Sequence, residues 1–250
     1  MERPIVSIIT PAFECLSTIK DTFESIISQS FKDWEWLIVE DCSNDGTYEF
    51  VQQLAKQDKR IRVFKTSQNS GAAAARNMGI FNSNGKYIAF LDADDLWKPD
   101  KLKTQIEYME INGYDFTFTD YDLLLQNGKI KKHKIKKQFV NFKDLLKRNY
   151  VGCLTAVYNA DNLGKNYMPL DCEKREDHGA WLDITKKGIN AYRLEECLSM
   201  YRVGSNSVSS NKFKMVKFQY LLYRRHLHFN AVKSIWYTIV CSFNKLINRY

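Results

Sequence analysis

The stretch Asp92-Ala93-Asp94-Asp95 places three carboxylates side by side, directly after the apolar run Tyr87-Ile88-Ala89-Phe90-Leu91. Such a run reads as a buried strand, and open parallel sheets bind ligands where their strands end. Carboxylate oxygens suit hard divalent cations such as Mg²⁺ or Mn²⁺, which keep coordination positions open for substrate phosphates. Asp92, Asp94 and Asp95 are therefore candidate metal ligands, and the expected partner is a phosphorylated small molecule. A plainer reading competes. The same residues could end the strand and cap a helix opened by Trp97-Lys98-Pro99, as Asp commonly does. The spacing alone does not choose between them.

The elements that would position this cluster follow from periodicity. Residues 5–10, 36–40, 61–65 and 87–91 read as strands, and segments around 17–29, 47–57, 72–82 and 98–112 as helices between them. The alternation predicts an α/β fold with a parallel, doubly wound sheet. Its rim would gather Pro11-Ala12-Phe13, Asp41 and Asp92 to Asp95 from three distant segments. Past residue 114, residues 116–121 read as another strand, and Asn127-Gly128 as a hairpin turn between Leu123-Leu124-Leu125 and Ile130. The lysine-rich run 129–137 reads as a solvated ribbon or loop, in which His133 alone carries little weight.

Composition narrows the class. A chain of 250 residues, 44% hydrophobic, fits one large domain or a domain with an appendage. The six cysteines (Cys15, Cys42, Cys153, Cys172, Cys197, Cys241) include no Cys-x-x-Cys pair, which argues against a zinc ribbon or disulfide framework and fits a reducing cytoplasm. The first residues run straight into a strand pattern, so no secretory signal is expected. No apolar stretch approaches the ~18 residues that would span a bilayer. The net charge of +8 lies wholly in residues 211–250, which hold eight Lys or Arg and no Asp or Glu. A basic tail on a neutral body points to an anionic surface, either membrane or nucleic acid.

Four ordered segments carry a resemblance. Val6-Ser7-Ile8-Ile9-Thr10-Pro11-Ala12-Phe13, Leu37-Ile38-Val39-Glu40-Asp41-Cys42-Ser43-Asn44-Asp45-Gly46-Thr47, Asn69-Ser70-Gly71-Ala72-Ala73-Ala74-Ala75-Arg76-Asn77 and Phe90-Leu91-Asp92-Ala93-Asp94-Asp95 together resemble family 2 glycosyltransferases of the GT-A fold. Arg175-Glu176-Asp177-His178-Gly179-Ala180-Trp181 and Tyr201-Arg202-Val203-Gly204-Ser205-Asn206-Ser207 look like that family's acceptor-side motifs, so the resemblance covers about residues 4–208. Within the family, the chain looks most like bacterial enzymes that build teichuronic acid, capsule or O-antigen units. The implied division is a catalytic domain over 1–210, with a nucleotide-sugar-binding half (1–113) and an acceptor-side half (114–210), followed by a tail (211–250).

The resemblance implies a role for each matching residue, and each role has a physical rationale and a plain rival. Asp41 would accept the imide N–H of uracil while Phe13 offers a flat face to the base, with Thr10 and Pro11 beside them. Asp41 could instead be a turn former and Phe13 a core residue. Arg76 would stand near the nucleotide, on a helix whose alanines also suit packing against a sheet. Asp92 becomes a ribose or sugar contact, Asp94 the principal metal ligand and Asp95 a supporting one. The cation would neutralise charge on the departing diphosphate. Asp177 is the expected base for the acceptor hydroxyl, with Glu176 the fallback and His178 behind both. Trp181, one turn beyond Asp177, would stack on the acceptor sugar. Carboxylates in a first helical turn, however, also suit the macrodipole, and Trp suits cores. Arg202 would clamp the diphosphate, with Ser205 and Ser207 as weaker candidates. Many relatives have histidine where Gly204 stands, so any role of that imidazole does not carry over.

In the tail, Ile235, Trp236, Ile239, Val240, Phe243, Leu246 and Ile247 recur along one helical stripe, with Lys233 and Lys245 elsewhere on the wheel. That pattern resembles a helix lying on anionic lipid, the alternative being a helix packed on the domain or on a second subunit of a homodimer. The combined expectation is an inverting, metal-dependent glycosyltransferase using Mn²⁺ or Mg²⁺. It would move a hexose from a UDP-sugar to a lipid-diphosphate-linked saccharide, peripherally at the inner face of the cytoplasmic membrane. A metal-dependent nucleotidyl or phosphoryl enzyme would share the carboxylate cluster, but the chain lacks a Gly-rich phosphate loop near its start. A non-catalytic nucleic-acid binder is opposed by the confinement of basic charge to one end.

Overall fold

The computed structural model describes residues 3–133, 135–172, 174–204 and 212–247. The expected alternation is present: β1 (Val6–Ala12), α1 (Ile19–Ile27), β2 (Trp34–Glu40), α2 (Thr47–Gln57), β3 (Ile61–Lys65), α3 (Gly71–Asn82) and β4 (Tyr87–Phe90). There follow β5 (Leu96–Trp97), α4 (Lys101–Asn112), β6 (Phe116–Leu124), β7 (Ile130–His133), β8 (Phe139–Val140), α5 (Phe142–Leu145), β9 (Val157–Asn159), α6 (Ala160–Leu163), α7 (Glu176–Lys186) and β10 (Ala191–Arg202). A short 3-10 turn (Cys153–Thr155) precedes β9. The C-terminal segment is α8 (Lys212–Leu221), a π-helical turn (Leu222–His226) and α9 (Ala231–Ile247).

The strands form one mixed sheet in the order β3-β2-β1-β4-β9-β6-β10-β5. The first four run parallel, β9 runs against both of its neighbours, and β6 and β10 are parallel again. The parallel strands bury both faces, so β2 is buried along its whole length. Neighbouring residues of β1 feed opposite cores. Ile8 packs with Trp36, Val51 and Leu102 on the α1, α2 and α4 side, and Ile9 with Ile80, Phe90 and Trp181 on the other. α3 lies close to β1 because Gly79 has no side chain, since a Cβ there would stand 2.6 Å from Ile9 Cγ2.

Three expectations are corrected or extended. No helix opens at Trp97-Lys98-Pro99: Trp97 belongs to β5, paired antiparallel with Ser199 of β10, and α4 starts after Asp100. Pro99 explains this, because it disfavours helical backbone at the residue before it. The carboxylates of Asp92, Asp94 and Asp95 are thus not helix caps. Second, the strand read over 116–121 runs on through Leu124 as β6, which turns at Asn127-Gly128 (Gly128 φ 75°) into β7, as the hairpin signal required. Third, the lysine-rich ribbon is solvated only in part, since His133 and Ile135 turn inward and are buried.

The tail divides the two readings offered for it. Leu222, Tyr223 and Leu227 join the core beside Trp181 and Leu182, whereas most of the α9 stripe faces outward. Among the described residues no helix is long and apolar enough to cross a membrane.

Candidate active site

The loops leaving β1, β2 and β4 emerge together because these strands are neighbours in register, Ala12 opposite Glu40 and Ile9 opposite Phe90. Two non-glycine residues on these loops hold left-handed backbone, Glu14 (φ 45°) and Cys42 (φ 62°), immediately after Phe13 and Asp41. Backbone of this kind costs about 1–3 kcal/mol per residue and gathers at binding sites.

Phe13 is 45% exposed and is therefore not a core residue. Asp41 is buried, and its carboxylate accepts hydrogen bonds from the Thr66 hydroxyl (2.7 Å) and the Ser70 and Gly71 amides (2.9 and 2.7 Å). It thereby caps α3, whose own N-cap residue makes no side-chain cap. Pro11 lies half-buried in β1. Thr10 is fully buried, its hydroxyl donating to the Leu91 carbonyl and accepting from the Trp36 indole. That hydroxyl therefore braces β1 against its neighbours, its donor and an acceptor position both engaged within the fold.

The acidic turn is braced from several sides. Thr18 and Thr22 of the α1 segment donate to the Ala93 carbonyl, and Thr22 also to that of Asp95. Arg202 donates its amide to Asp95 Oδ1 (2.9 Å), its Nε to the Asp94 carbonyl (2.9 Å) and a terminal nitrogen to Asp21 (2.8 Å). Asp95 is only 1% exposed; burial and then repulsion from Asp94 and Asp92 push its carboxyl well above the usual range. Asp94 projects outward from the turn, and local burial with repulsion from Asp92 raises it too.

Arg76, rising from α3, is the hub. It is buried, and it donates to Asp92 Oδ1 at the end of β4 and to Glu176 Oε1 (3.0 Å) at the start of α7. Burial alone would lower its affinity for a proton, but Asp92 and Glu176 hold the guanidinium firmly charged. Asp177, beside Glu176, accepts from Asn149 Nδ2 (3.1 Å), and burial raises its carboxyl. Arg76 links Asp92 to Glu176 and both Arg76 and Asp92 act electrostatically on Asp177, so the acidic turn after β4 and the start of α7 border one another. The carboxylates of Asp92, Asp94, Asp95, Glu176 and Asp177 thus gather near the guanidiniums of Arg76 and Arg202, with Arg175 also acting on Asp177.

That excess of negative charge and the raised carboxyls of Asp94 and Asp95 fit a bound divalent cation. The donors do not form a closed cage. Asp92 is engaged by Arg76 and Asp95 by the Arg202 amide, and among the described residues the tight cluster of ligand-type atoms is a different one, Asp171, Cys172 and His226. An open arrangement of this kind suits an ion that takes its remaining ligands from a diphosphate and water.

Trp181 does not reach this site. It is fully buried against Phe90 and Phe116, its indole donating to the Val151 carbonyl (3.2 Å). α7 is buried on nearly every side, so a residue one turn inward from Asp177 meets the sheet instead of a sugar. His178 is equally structural, its ring held between the Leu145 carbonyl and Gln219, and burial drives its pKa down to about 3. Ser205 and Ser207 lie outside the described residues, while Gly204 is exposed just after β10. Sequence reading missed Thr66, Asn149, Thr22 and Cys153. The Cys153 thiol is held protonated by burial within the field of Arg76, Asp92, Asp177 and Glu176. Asn149 and Cys153 sit in an irregular stretch without periodicity, so only their placement reveals them.

Residues 7–160 match the model of Glycosyl transferase family 2. The chain is 41% identical over 235 residues to a Bacillus subtilis protein named as a teichuronic acid biosynthesis glycosyltransferase, TuaG, covering 94% of this chain and 93% of that one. It is 35% identical over 221 residues, 88% of this chain and 85% of the other, to WfgD of Escherichia coli, the UDP-Glc:alpha-D-GlcNAc-diphosphoundecaprenol beta-1,3-glucosyltransferase. Its backbone superposes with a TM-score of 0.69 on the Pyrobaculum calidifontis mannosyltransferase PcManGT, solved with GDP-Man and Mn²⁺, over 97% of this chain and 74% of that one at 16% identity, a likeness of fold. The mostly parallel sheet and its helices are thus the GT-A architecture. Sequence and backbone converge, and the chain belongs to glycosyl transferase family 2 and is a glycosyltransferase.

Proposed function

We propose that this glycosyltransferase moves a hexose from a UDP-sugar to a hydroxyl of a lipid-diphosphate-linked saccharide, with inversion, in the synthesis of a bacterial surface polysaccharide. The names of TuaG and WfgD support the polysaccharide, the UDP-sugar and the lipid-linked acceptor. The observation that carries the reading is the Arg76 bridge between Asp92 and Glu176, which joins the donor-side turn to the acceptor-side helix across a single guanidinium.

Phe13 stacks on the uracil, and Asp41, with three of its roughly four acceptor positions used, keeps one for the imide N–H. Asp94, supported by Asp95 and with Asp92 beside it, would hold a Mn²⁺ or Mg²⁺ ion, which would supply positive charge to offset that on the leaving diphosphate. PcManGT, of the same fold, carries Mn²⁺ in its own site. Arg202 anchors the turn and lends positive charge beside it. Asp177 takes the acceptor proton. Glu176 is tied to Arg76, whereas Asp177 is held by the neutral amide of Asn149 and has a raised pKa, which suits a base. One base carboxylate opposite the diphosphate fits a single displacement.

The test is UDP release from UDP-glucose, UDP-galactose and their N-acetyl forms, with lipid-diphosphate saccharides and Mn²⁺ or Mg²⁺. Asp177→Asn should bind the donor normally and lose about 10³-fold in turnover. Wild-type turnover should fall in acid as Asp177 takes a proton, with the fall displaced upward from the ordinary Asp range near ~4. Full turnover by Asp177→Asn would remove this base from the mechanism.

A further inference from the structure

α9 is amphipathic in an unusual sense. Val232, Ile235, Trp236, Ile239 and Phe243 fall within an arc of about 100° on the helix, and all are exposed, Trp236 by 63%. The opposite face, packed on the protein, is Ser234, Thr238 and Cys241, flanked by Tyr237 against Tyr223 and Phe229. A surface helix normally turns its apolar stripe inward; here the small polar side chains are inside and most of the large apolar ones outside. Phe213 and Val216 of α8 are exposed as well.

The charge around this face selects its occupant. Residues 211–250 contain no Asp or Glu, and Lys214, Lys217, Arg224, Arg225, Lys233 and Lys245 are all exposed. We infer that the outward face of α9 docks on an anionic lipid bilayer, with the aromatic and aliphatic residues at the acyl boundary and the basic residues among the headgroups. A second copy of the chain would bring the same positive charge to the contact and is disfavoured by it.

The docked helix also orients the site. Gln219 of α8 hydrogen-bonds His178, and the Met215 carbonyl accepts from Arg175, so the tail is rooted on the first turn of α7, where Asp177 lies. Docking through α9 therefore brings the acceptor side near the bilayer. That last step rests on the proposed transfer to a lipid-linked acceptor; lipid binding itself does not.

Intrinsic fluorescence reads this surface selectively, because Trp34, Trp36, Trp97 and Trp181 are buried and Trp236 is exposed. With the full chain, phosphatidylglycerol-containing vesicles should shift the emission to the blue and carry the protein upward in flotation, and salt should weaken both effects. Pure phosphatidylcholine vesicles should do so far less. Ile239→Asp with Phe243→Asp, both at exposed positions, should weaken vesicle binding roughly tenfold or more while leaving UDP release with a water-soluble acceptor intact. Unchanged flotation of this variant, or unmoved wild-type emission, overturns the inference. So does a dimer that the variant dissociates in the absence of vesicle binding. Loss of UDP release from the wild type would instead count against the proposed reaction.

Discussion

The donor and acceptor sides of the site are built in different ways. On the donor side, hydroxyls and carboxylates grip backbone: Asp41 holds the Ser70 and Gly71 amides, Thr22 the Ala93 and Asp95 carbonyls, and Asp95 the Arg202 amide. On the acceptor side the working group is positioned by side chains, Asp177 by Asn149 and Glu176 by Arg76. Loops fixed through their backbone offer a preformed cradle to a nucleotide. A carboxylate fixed through one amide is aimed but remains available for proton transfer.

The contrast is broken most severely by removing the group that both sides share. Arg76→Met leaves the part-buried carboxylates of Asp92 and Glu176 without their cation, which costs up to about 3 kcal/mol. At ~2–4 °C per kcal/mol for a domain of this size, Tm should fall by up to roughly 10 °C in differential scanning calorimetry. Adding Asp92→Asn and Glu176→Gln should restore part of the loss, and an unchanged Tm in Arg76→Met would show that the bridge holds nothing together.

Two milder substitutions sharpen the contrast by where their effects fall. Asn149→Ala should lower kcat roughly tenfold with little change in donor KM, because it frees the base. Thr66→Val should raise donor KM by a similar factor with kcat nearly unchanged, because it loosens Asp41. If both act on the same constant, the two sides are not separate devices.

The smallest effect concerns how the tail is held. His226 of the π-helical turn is clasped by Asp183 (2.9 Å) and Asp171 (3.1 Å), and the hydrogen bond to Asp183 leads the causes that raise its pKa. A raised folded-state pKa contributes stability that is complete below the unfolded value near ~6.5 and is lost as pH rises through the folded value. The Tm advantage of wild type over His226→Gln should therefore be fullest at mildly acidic pH and shrink toward alkaline pH. An advantage independent of pH would show that the ring acts only by packing.

The donor side was the more legible in the sequence, for a physical reason. Parallel strands buried on both faces leave continuous apolar runs, and the runs of β2 and β4 give way to carboxylates at the rim of the sheet, Asp41 and Asp92 to Asp95. Periodicity tells which residues share a face but not what that face meets. Trp181 was placed correctly one turn from Asp177, yet the stripe it follows sinks into the core. In α9 the stripe was equally visible, and it faces outward. Thr10 shows a third limit, since its position at a strand end says nothing of the Trp36 indole that occupies its hydroxyl. The irregular chain before α7, which supplies Asn149, offers no pattern to read.

Gly179 has a consequence for how this protein is made. A Cβ there would stand 2.5 Å from the Pro169 ring and 3.5 Å from Leu222 Cδ1, so α7 presents a bare shelf that a residue of the tail covers. During synthesis β1 to β4 and the loops that follow them leave the ribosome well before Leu222 does. Until that leucine arrives, Pro169 and Cys172 cover only their own side of the shelf, and the apolar surface that Leu222 seals stays open to water.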